Sequence, residues 1–393
     1  MTKNILQNYE KIIADADLDS IYKARREKVY AYMAEHNISA AVYEDNEEHR
    51  TPAVRYLTGH PSDAILILTA DKKSHLVPWD ENLAALRAHS DFVTPLTEYK
   101  RVNTDAVKGE LKKFLANPKG LTVSLQTETT YISFKKFEDA LEGDGWKVEC
   151  TEEGVHKFTK GLRSVKDEYE IACTVKACAI TSGMTDAIIP LLAEGKIKTE
   201  SDVALFIEKT LREKGCERTS FDTLAAGPSR SYAIHAFPGY TGGLWGCDGL
   251  SILDYGVCYE GYASDCTITI ARGKLNAAQE KILELVQVAA DECRPLYKKG
   301  LPVLGAAKKA DEIFAKEGLS MPHGLGHGTG LEIHEAPFVS MRAKEDTLFK
   351  SGNIVTLEPG LYDPQLGGCR LENDVLVTDD GNVVLTNSRI FRM

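Results

Sequence analysis

Between Pro322 and Glu335 the chain reads Pro-His-Gly-Leu-Gly-His-Gly-Thr-Gly-Leu-Glu-Ile-His-Glu, and the rest of the sequence is best read as the frame for this stretch. Three histidines and four glycines fall within these fourteen residues, although the 393-residue chain holds only 10 histidines. Imidazole binds borderline metals and changes charge near neutral pH, and glycine lets backbone approach a ligand closely. Metal chemistry is the first hypothesis.

A metal site needs anions, and four apolar runs supply them. Asp254 ends Leu250-Ser251-Ile252-Leu253, and Asp265 precedes Cys266-Thr267-Ile268-Thr269-Ile270. Glu358 ends Ile354-Val355-Thr356-Leu357, and Glu372 precedes Asn373-Asp374-Val375-Leu376-Val377. Aspartate is disfavoured inside strands, and a buried carboxylate costs several kcal/mol unless it is paired or metal-bound. Gly256 and Gly261 lie between the first two runs, so a hairpin would return Asp265 close to Asp254. Gly367-Gly368 lies in the same way between the second two. Four carboxylates match the charge of two divalent ions, with a neutral His327 as an additional ligand. Two metals about 3.5 to 4 Å apart can share a water and lower its pKa from about 15.7 toward roughly 7, which makes hydroxide available at neutral pH.

The length is large for one core, so two domains are expected. Residues 1–155 read as an α/β unit. Ile21, Val29, Tyr32 and Met33 give an apolar face to a helix ending near Asn37. Strands are predicted at Ala40 to Tyr43, Ala64 to Leu68, His75 to Val77 and near Leu121 to Leu125, and helices at Glu81 to His89 and Asp105 to Leu115. The alternation predicts a mixed sheet with helices on its faces. The second domain, 161–393, opens with Ser164 and Asp167 in a capping-box pattern, and Thr199 with Asp202 opens a further helix facing inward through Val203, Phe206, Ile207 and Leu211. Strands from about Ser220 to Ala271 follow. Then the order recurs, with helices from about Asn276 and Val303 and strands to the C-terminus. Two helix, helix, strands units imply a structural duplication around a shared cleft.

The net charge of -11 argues against a protein that grips a nucleic-acid backbone, which needs clustered lysine and arginine. Met1 to Ser20 is polar and carries acids, and no run of 18 apolar residues occurs, so neither a signal peptide nor a membrane span is expected and the cytoplasm is the default location. Nine cysteines, odd in number and with no Cys-x-x-Cys pair, read as buried thiols in a reducing compartment. His334-Glu335 lacks the second histidine of a His-Glu-x-x-His zinc helix, the glycines of 324–330 match no dinucleotide or phosphate loop, and Gly227-Pro228-Ser229-Arg230-Ser231 lacks the last glycine of a nucleophile elbow.

Taken together, these segments resemble the creatinase, prolidase and aminopeptidase P family of metallopeptidases (family M24), which includes methionine aminopeptidase and, as a metal-free relative, creatinase. The resemblance covers roughly 161–393 through its motifs. It extends more loosely to the N-terminal part through Val54-Arg55-Tyr56-Leu57-Thr58-Gly59, which favours the Xaa-Pro branch. It implies an α/β protein whose C-terminal domain is a "pita-bread" pair of αβ halves. Carried over by motif, Asp254, Asp265, His327, Glu358 and Glu372 are the metal ligands, with Asp265 and Glu372 bridging. His235 and His334 are the non-ligand histidines that position substrate and stabilise the tetrahedral intermediate, and Glu358 also shuttles a proton to the leaving proline nitrogen. The resemblance further implies that His323 lines the proline-side pocket and that Arg370 orients the acids or meets a substrate carboxylate. It brings a homodimer with it.

The activity so implied is hydrolysis of the amide before proline in short peptides by a metal-bridging hydroxide. Oxygen-rich ligation favours Mn²⁺ over the alternatives Co²⁺ and Zn²⁺. A creatinase-like C–N hydrolase, a non-proline metal amidohydrolase and a non-catalytic binding module are the rival readings. Creatinase-like and binding-module relatives would be expected to have lost ligands, and this chain keeps all five. Two positions depart from the family pattern: Ile268 stands where an arginine is frequent, and Asn373 where an acid is common. The Gly-rich linker from Phe237 to Gly249, with Trp245, also differs. Trp245 and Tyr362 are further candidates for shaping the pocket.

Overall fold

The computed structural model describes residues 2–114 and 117–393. Met1 and Leu115, the second of them the predicted end of a helix, lie outside the described residues. The chain divides into two compact units: Asp17–Arg163, and Ser164–Met393 together with the residues up to Ala16.

The unit Asp17–Arg163 is built on a six-stranded sheet in the order Phe92–Val93, Lys73–Pro78, Ala64–Thr69, Ala40–Asp45, Thr122–Leu125, Lys147–Cys150. The three strands from Lys73–Pro78 to Ala40–Asp45 are antiparallel neighbours, and the other pairings are parallel, which is the mixed sheet the alternation predicts. Ala64–Thr69 is buried along its whole length, as its unbroken apolar run requires of a central strand. The helix Leu18–Glu35 begins where the Asp17 side chain accepts from Ser20 N. It buries two arginines that periodicity did not single out. Arg25 donates to the Tyr56 carbonyl and Arg26 to those of Leu57 and His89. Their guanidinium groups thus satisfy carbonyls at the C-terminal end of the helix Pro52–Thr58, where cations are favoured. That helix stops at Gly59, whose φ of 77° suits glycine, and a Cβ there would meet the Tyr22 ring at 2.9 Å.

One buried group in this unit makes its stability depend on pH. His156 lies on the helix Val155–Leu162 against the edge of Tyr43, with Nε2 3.2 Å from the Ser124 carbonyl and no hydrogen-bond partner for Nδ1. Burial pushes its imidazole down to about 4 from the usual 6.5. As pH falls the unfolded chain takes up this proton first, so the contribution is complete above 6.5 and is lost between there and about 4. The expected loss is about 3 kcal/mol over that window. Urea unfolding of the whole chain at stepped pH should show it, and His156→Gln should flatten the dependence; an unchanged slope in the variant would rule His156 out as the source.

The second unit repeats one element order. The helices Glu168–Ala193 and Glu200–Glu213 precede strands ending in Gly249–Tyr255 and Cys266–Arg272, and Ala277–Cys293 and Val303–Ala315 precede strands that include Ile354–Leu357 and Glu372–Val377. Each helix pair packs on its own strands. Val203, Ile207 and Leu211 share a core cluster with Leu253, Ile268 and Ile270, and Ala306, Ala307 and Ala310 share another with Val355 and Val375. One sheet joins the halves in the order Glu335–Val339, Gly326–Gly328, Ile354–Leu357, Glu372–Val377, Cys266–Arg272, Gly249–Tyr255, Leu224–Ala226.

Two expectations change here. The first helix is capped by Asp167 with Glu170 in the capping box, not by Ser164, whose carbonyl instead accepts from the Asn353 side chain. That helix, Glu168–Ala193, is also long and apolar enough by length and composition to cross a membrane, although no unbroken apolar run marks it. Its polar groups have protein partners: Thr181 bonds Ser264, and Thr185 bonds Tyr255. Its Ile171 and Val175 bury against Ile5, Leu6, Tyr9 and Ile12 of the helix Thr2–Ala14. This contact explains why the first residues group with the second unit rather than with the α/β unit the sequence reading assigned them to. The capping boxes at Thr199 with Asp202 and at Asn276 with Gln279 start the two helices read from those residues.

Candidate metal centre

Strand register explains how acids far apart in sequence meet. Thr267 pairs with Asp254 on one neighbouring strand and with Glu372 on the other, so the three stand in one row across the sheet. Side chains in such a row share a face, and Asp265, two residues before Thr267, shares it too. Thr267 Oγ1 donates to Glu372 Oε2 at 2.7 Å. His327 arrives from Gly326–Gly328, where bare backbone is needed: a Cβ at Gly326 would sit 1.9 Å from the Thr356 carbonyl oxygen and one at Gly328 2.4 Å from that of Ala336. The glycines of this stretch therefore let strands close around the imidazole.

One donor atom from each of Asp265, His327 and Glu372 lies within 4.8 Å of the others. His327 Nδ1 faces the Gly328 carbonyl at 3.1 Å, which places its proton there. The Nε2 lone pair then points at Asp265 Oδ2 and Glu358 Oε1, each 3.6 Å away. Burial, with a smaller contribution from His334, pushes His327 down to about 4, so it is neutral at pH 7. Burial pushes the Glu358 carboxyl up to about 8. Burial and the neighbouring carboxylates drive Asp265 and Glu372 well above the usual range.

Three observations fit this group to divalent cations. Asp254 Oδ1 and Asp265 Oδ1 are buried with no hydrogen-bond partner. His327 Nε2 stands 3.6 Å from a carboxylate oxygen of Asp265 and from one of Glu358, a spacing beyond hydrogen-bond distance that suits an ion between them. Among the described residues, the ion pair between Arg370 and Asp254 is the one an arginine or lysine makes with these four acids. The donor set is four carboxylates and one neutral imidazole, which suits hard to borderline ions.

The remaining candidates surround this group. Arg370 is fully engaged: Nη2 donates to Asp254 Oδ2 at 2.7 Å, Nε to Thr267 Oγ1 at 3.0 Å and Nη1 to the Tyr362 hydroxyl at 2.8 Å. Of the four acids it pairs directly with Asp254. His323 uses both ring nitrogens, Nδ1 with the Gly324 carbonyl at 2.8 Å and Nε2 with the Tyr362 hydroxyl at 2.9 Å. His334 is exposed, with its ring centroid 4.3 Å from that of His327. His235 is exposed too, and close enough to His323 and His334 for its charge to disfavour theirs.

Tyr362 thus belongs to the site, whereas Trp245 is a core residue, 1% exposed, donating through Nε1 to the Ile252 carbonyl. The sequence reading missed Asp374. Fully buried, it accepts from the Asp265 backbone N at 2.7 Å and from Thr329 Oγ1 at 3.1 Å, which fixes the backbone that carries a ligand. Its position two residues after Glu372 in an apolar strand was the available signal. A second omission is the fully buried Lys166, whose Nζ lies 3.2 Å from Glu335 Oε2, beside His334. Neither departure from the family pattern touches the acids. Ile268 points into the hydrophobic cluster, and Asn373 Oδ1 accepts from Ser388 N and Thr386 Oγ1.

Residues 172–379 match the model of metallopeptidase family M24, and residues 25–154 that of the creatinase/prolidase N-terminal domain. An Xaa-Pro dipeptidase of Pyrococcus furiosus is 30% identical over 370 residues, spanning 93% of this chain and 98% of that protein. The crystal structure of the prolidase from Pyrococcus horikoshii superposes with a TM-score of 0.78 at 26% identity, covering 93% of this chain and 99% of that one. An Xaa-Pro dipeptidase structure from Bacillus anthracis gives a TM-score of 0.81 at 25% identity, covering 95% and 100%.

Proposed function

We propose, on the premise that this chain belongs to metallopeptidase family M24, that it hydrolyses the amide bond before proline in short peptides. In this reading Asp254, Asp265, His327, Glu358 and Glu372 hold two divalent ions, Mn²⁺ in preference to Co²⁺ or Zn²⁺. The observation that carries it is the convergence of Asp265, His327 and Glu372 to within 4.8 Å in a site that also holds Glu358 and Asp254. Relatives that align over nearly their whole length and act as Xaa-Pro dipeptidases support the choice of bond. Such ions, when bound, would lower the pKa of a water and polarise the scissile carbonyl.

The protein's own groups supply the rest. His334, its ring centroid 4.3 Å from that of His327, is the imidazole that in this reading hydrogen-bonds the developing oxyanion. The proline nitrogen leaves as a secondary amine and must gain a proton. Glu358, with Oε1 3.6 Å from His327 Nε2, is the carboxylate that in this reading passes it one. In this reading His235 meets the substrate backbone, and His323, held by Gly324 and Tyr362, lines the proline side. Arg370 keeps Asp254 in place and remains inside the site. The same reading makes the enzyme a homodimer. It also makes it cytoplasmic, which nine free cysteines support.

Turnover of Ala-Pro and Ala-Pro-Ala tests the assignment. After chelation both rates should fall to background, and Mn²⁺ should restore cleavage before proline. Cleavage of another amide with both of these substrates left intact would show the proline assignment to be wrong.

A further inference from the structure

We propose that Arg230 and Glu200 form a positioning pair that braces the loop carrying His235, and that through this loop they set turnover without touching the metal ligands. The proposal rests on the reading of His235 as a substrate-facing residue.

Residues 227–248 form neither helix nor strand apart from a single bridge, Leu244 to Thr199. The loop exposes large apolar side chains, Phe237 at 95% and Leu244 at 63%. A segment of this kind needs fixed points, and one carboxylate supplies most of them. Glu200, 1% exposed at the first position of the helix Glu200–Glu213, accepts from Gly227 N at 2.8 Å through Oε1. Through Oε2 it accepts from Thr241 N at 2.7 Å, from Thr241 Oγ1 at 2.6 Å and from the Arg230 guanidinium. The same guanidinium donates from its other terminal nitrogen to the Pro238 carbonyl. The start of the loop, Thr241 in its second half and both feet of the arch from Arg230 to Pro238 are thereby tied to a single acid.

His235 stands within that arch. It makes no side-chain hydrogen bond of its own among the described residues, so its backbone sets its position. Ser231 secures the near foot, donating to the Leu250 carbonyl at 2.7 Å and accepting from Gly368 N at 3.0 Å. The far foot is held by Arg230 and by the bond from Ala225 N to the Gly239 carbonyl. Between the feet the Ile234 carbonyl accepts from Arg370 and Ala236 is buried against Ile252, and Arg230 is the side chain that ties the two feet to each other. None of Asp254, Asp265, His327, Glu358 and Glu372 lies on this loop or on the helix that carries Glu200. The arch meets the metal site through Arg370, whose Nη1 donates to the Ile234 carbonyl at 3.4 Å, and Arg230→Met leaves that contact and all five ligands in place.

Arg230→Met keeps the alkyl stem and removes both contacts, and the test uses the Mn²⁺-loaded full chain with Ala-Pro and Ala-Pro-Ala. We expect kcat to fall roughly 10- to 100-fold with KM little changed, since a small misplacement of a group that acts in the transition state costs turnover. Bound Mn²⁺ should stay at the wild-type level, and amide exchange should quicken within 227–245. In a His235→Ala background the same substitution should lower kcat less than about threefold, because the residue it positions is already gone. Unchanged kcat, an equal fold-loss in the His235→Ala background, or loss of Mn²⁺ would each overturn the proposal. If the wild type cuts neither peptide, it is the substrate reading that fails. The brace is then decided by exchange alone: faster exchange confined to the loop in Arg230→Met upholds it, and unchanged exchange refutes it.

Discussion

Asp265→Ala is expected to remove bound metal and hydrolysis together, with turnover falling on the order of 10³-fold or more, about 4 kcal/mol of transition-state stabilisation. Glu372→Ala should behave alike. These two carboxylates share the 4.8 Å cluster with His327 and are the acids expected to bridge two ions. The Asp265 backbone N is held by Asp374, so the main chain keeps its place when the side chain is cut back. Stability should move the other way. In the metal-free protein Asp265 and Glu372 repel each other in a buried site that drives both pKa values up, so removing one relieves repulsion. The metal-free variant should melt no lower than the metal-free wild type. Adding Mn²⁺ should raise the melting temperature of the wild type alone, because an ion that binds only the folded state stabilises it by mass action. Full activity in either variant would refute the bridging roles.

The second large effect is expected at Arg370. Its guanidinium, 2% exposed, is the arginine among the acids, and it ties Asp254, Thr267 and Tyr362 together. Arg370→Met leaves a buried carboxylate without its cation, and breaking a buried pair from one side costs about 3 to 5 kcal/mol. The metal-free variant should therefore unfold at clearly lower urea concentration, and Mn²⁺ should recover part of the loss by neutralising Asp254 in another way. A variant as stable as the wild type without metal would show that Arg370 does not carry the charge balance of the site.

The parts of this protein legible in its sequence were those set by local rules. Apolar runs interrupted by acids marked Asp254, Asp265, Glu358 and Glu372, because burying a carboxylate in a strand has few other reasons. The Thr199 and Asp202 pair marked one helix start, and the apolar spacing after Asn276 another. The rest depends on register and on partners distant in sequence. Asp374 lies two positions beyond Glu372, and only its pairing beside the Asp265 backbone shows it to be an anchor. Ser164 matched the capping pattern, but Asp167 took the role because its own box with Glu170 closes while Ser164 turns its carbonyl to Asn353. Tyr362 and Trp245 were equal candidates for the pocket, and only the bonds of the Tyr362 hydroxyl to His323 and Arg370 separate it from Trp245 in the core. Arg230 carried no signal at all, since its meaning depends on Glu200, a residue thirty positions earlier in the chain.

Anomalous scattering from a Mn²⁺-soaked crystal of the wild-type chain examines the central claim most directly. Two peaks about 3.5 to 4 Å apart, enclosed by Asp254, Asp265, His327, Glu358 and Glu372, are the result predicted here. Manganese bound elsewhere, or no peak among these five side chains, would contradict it.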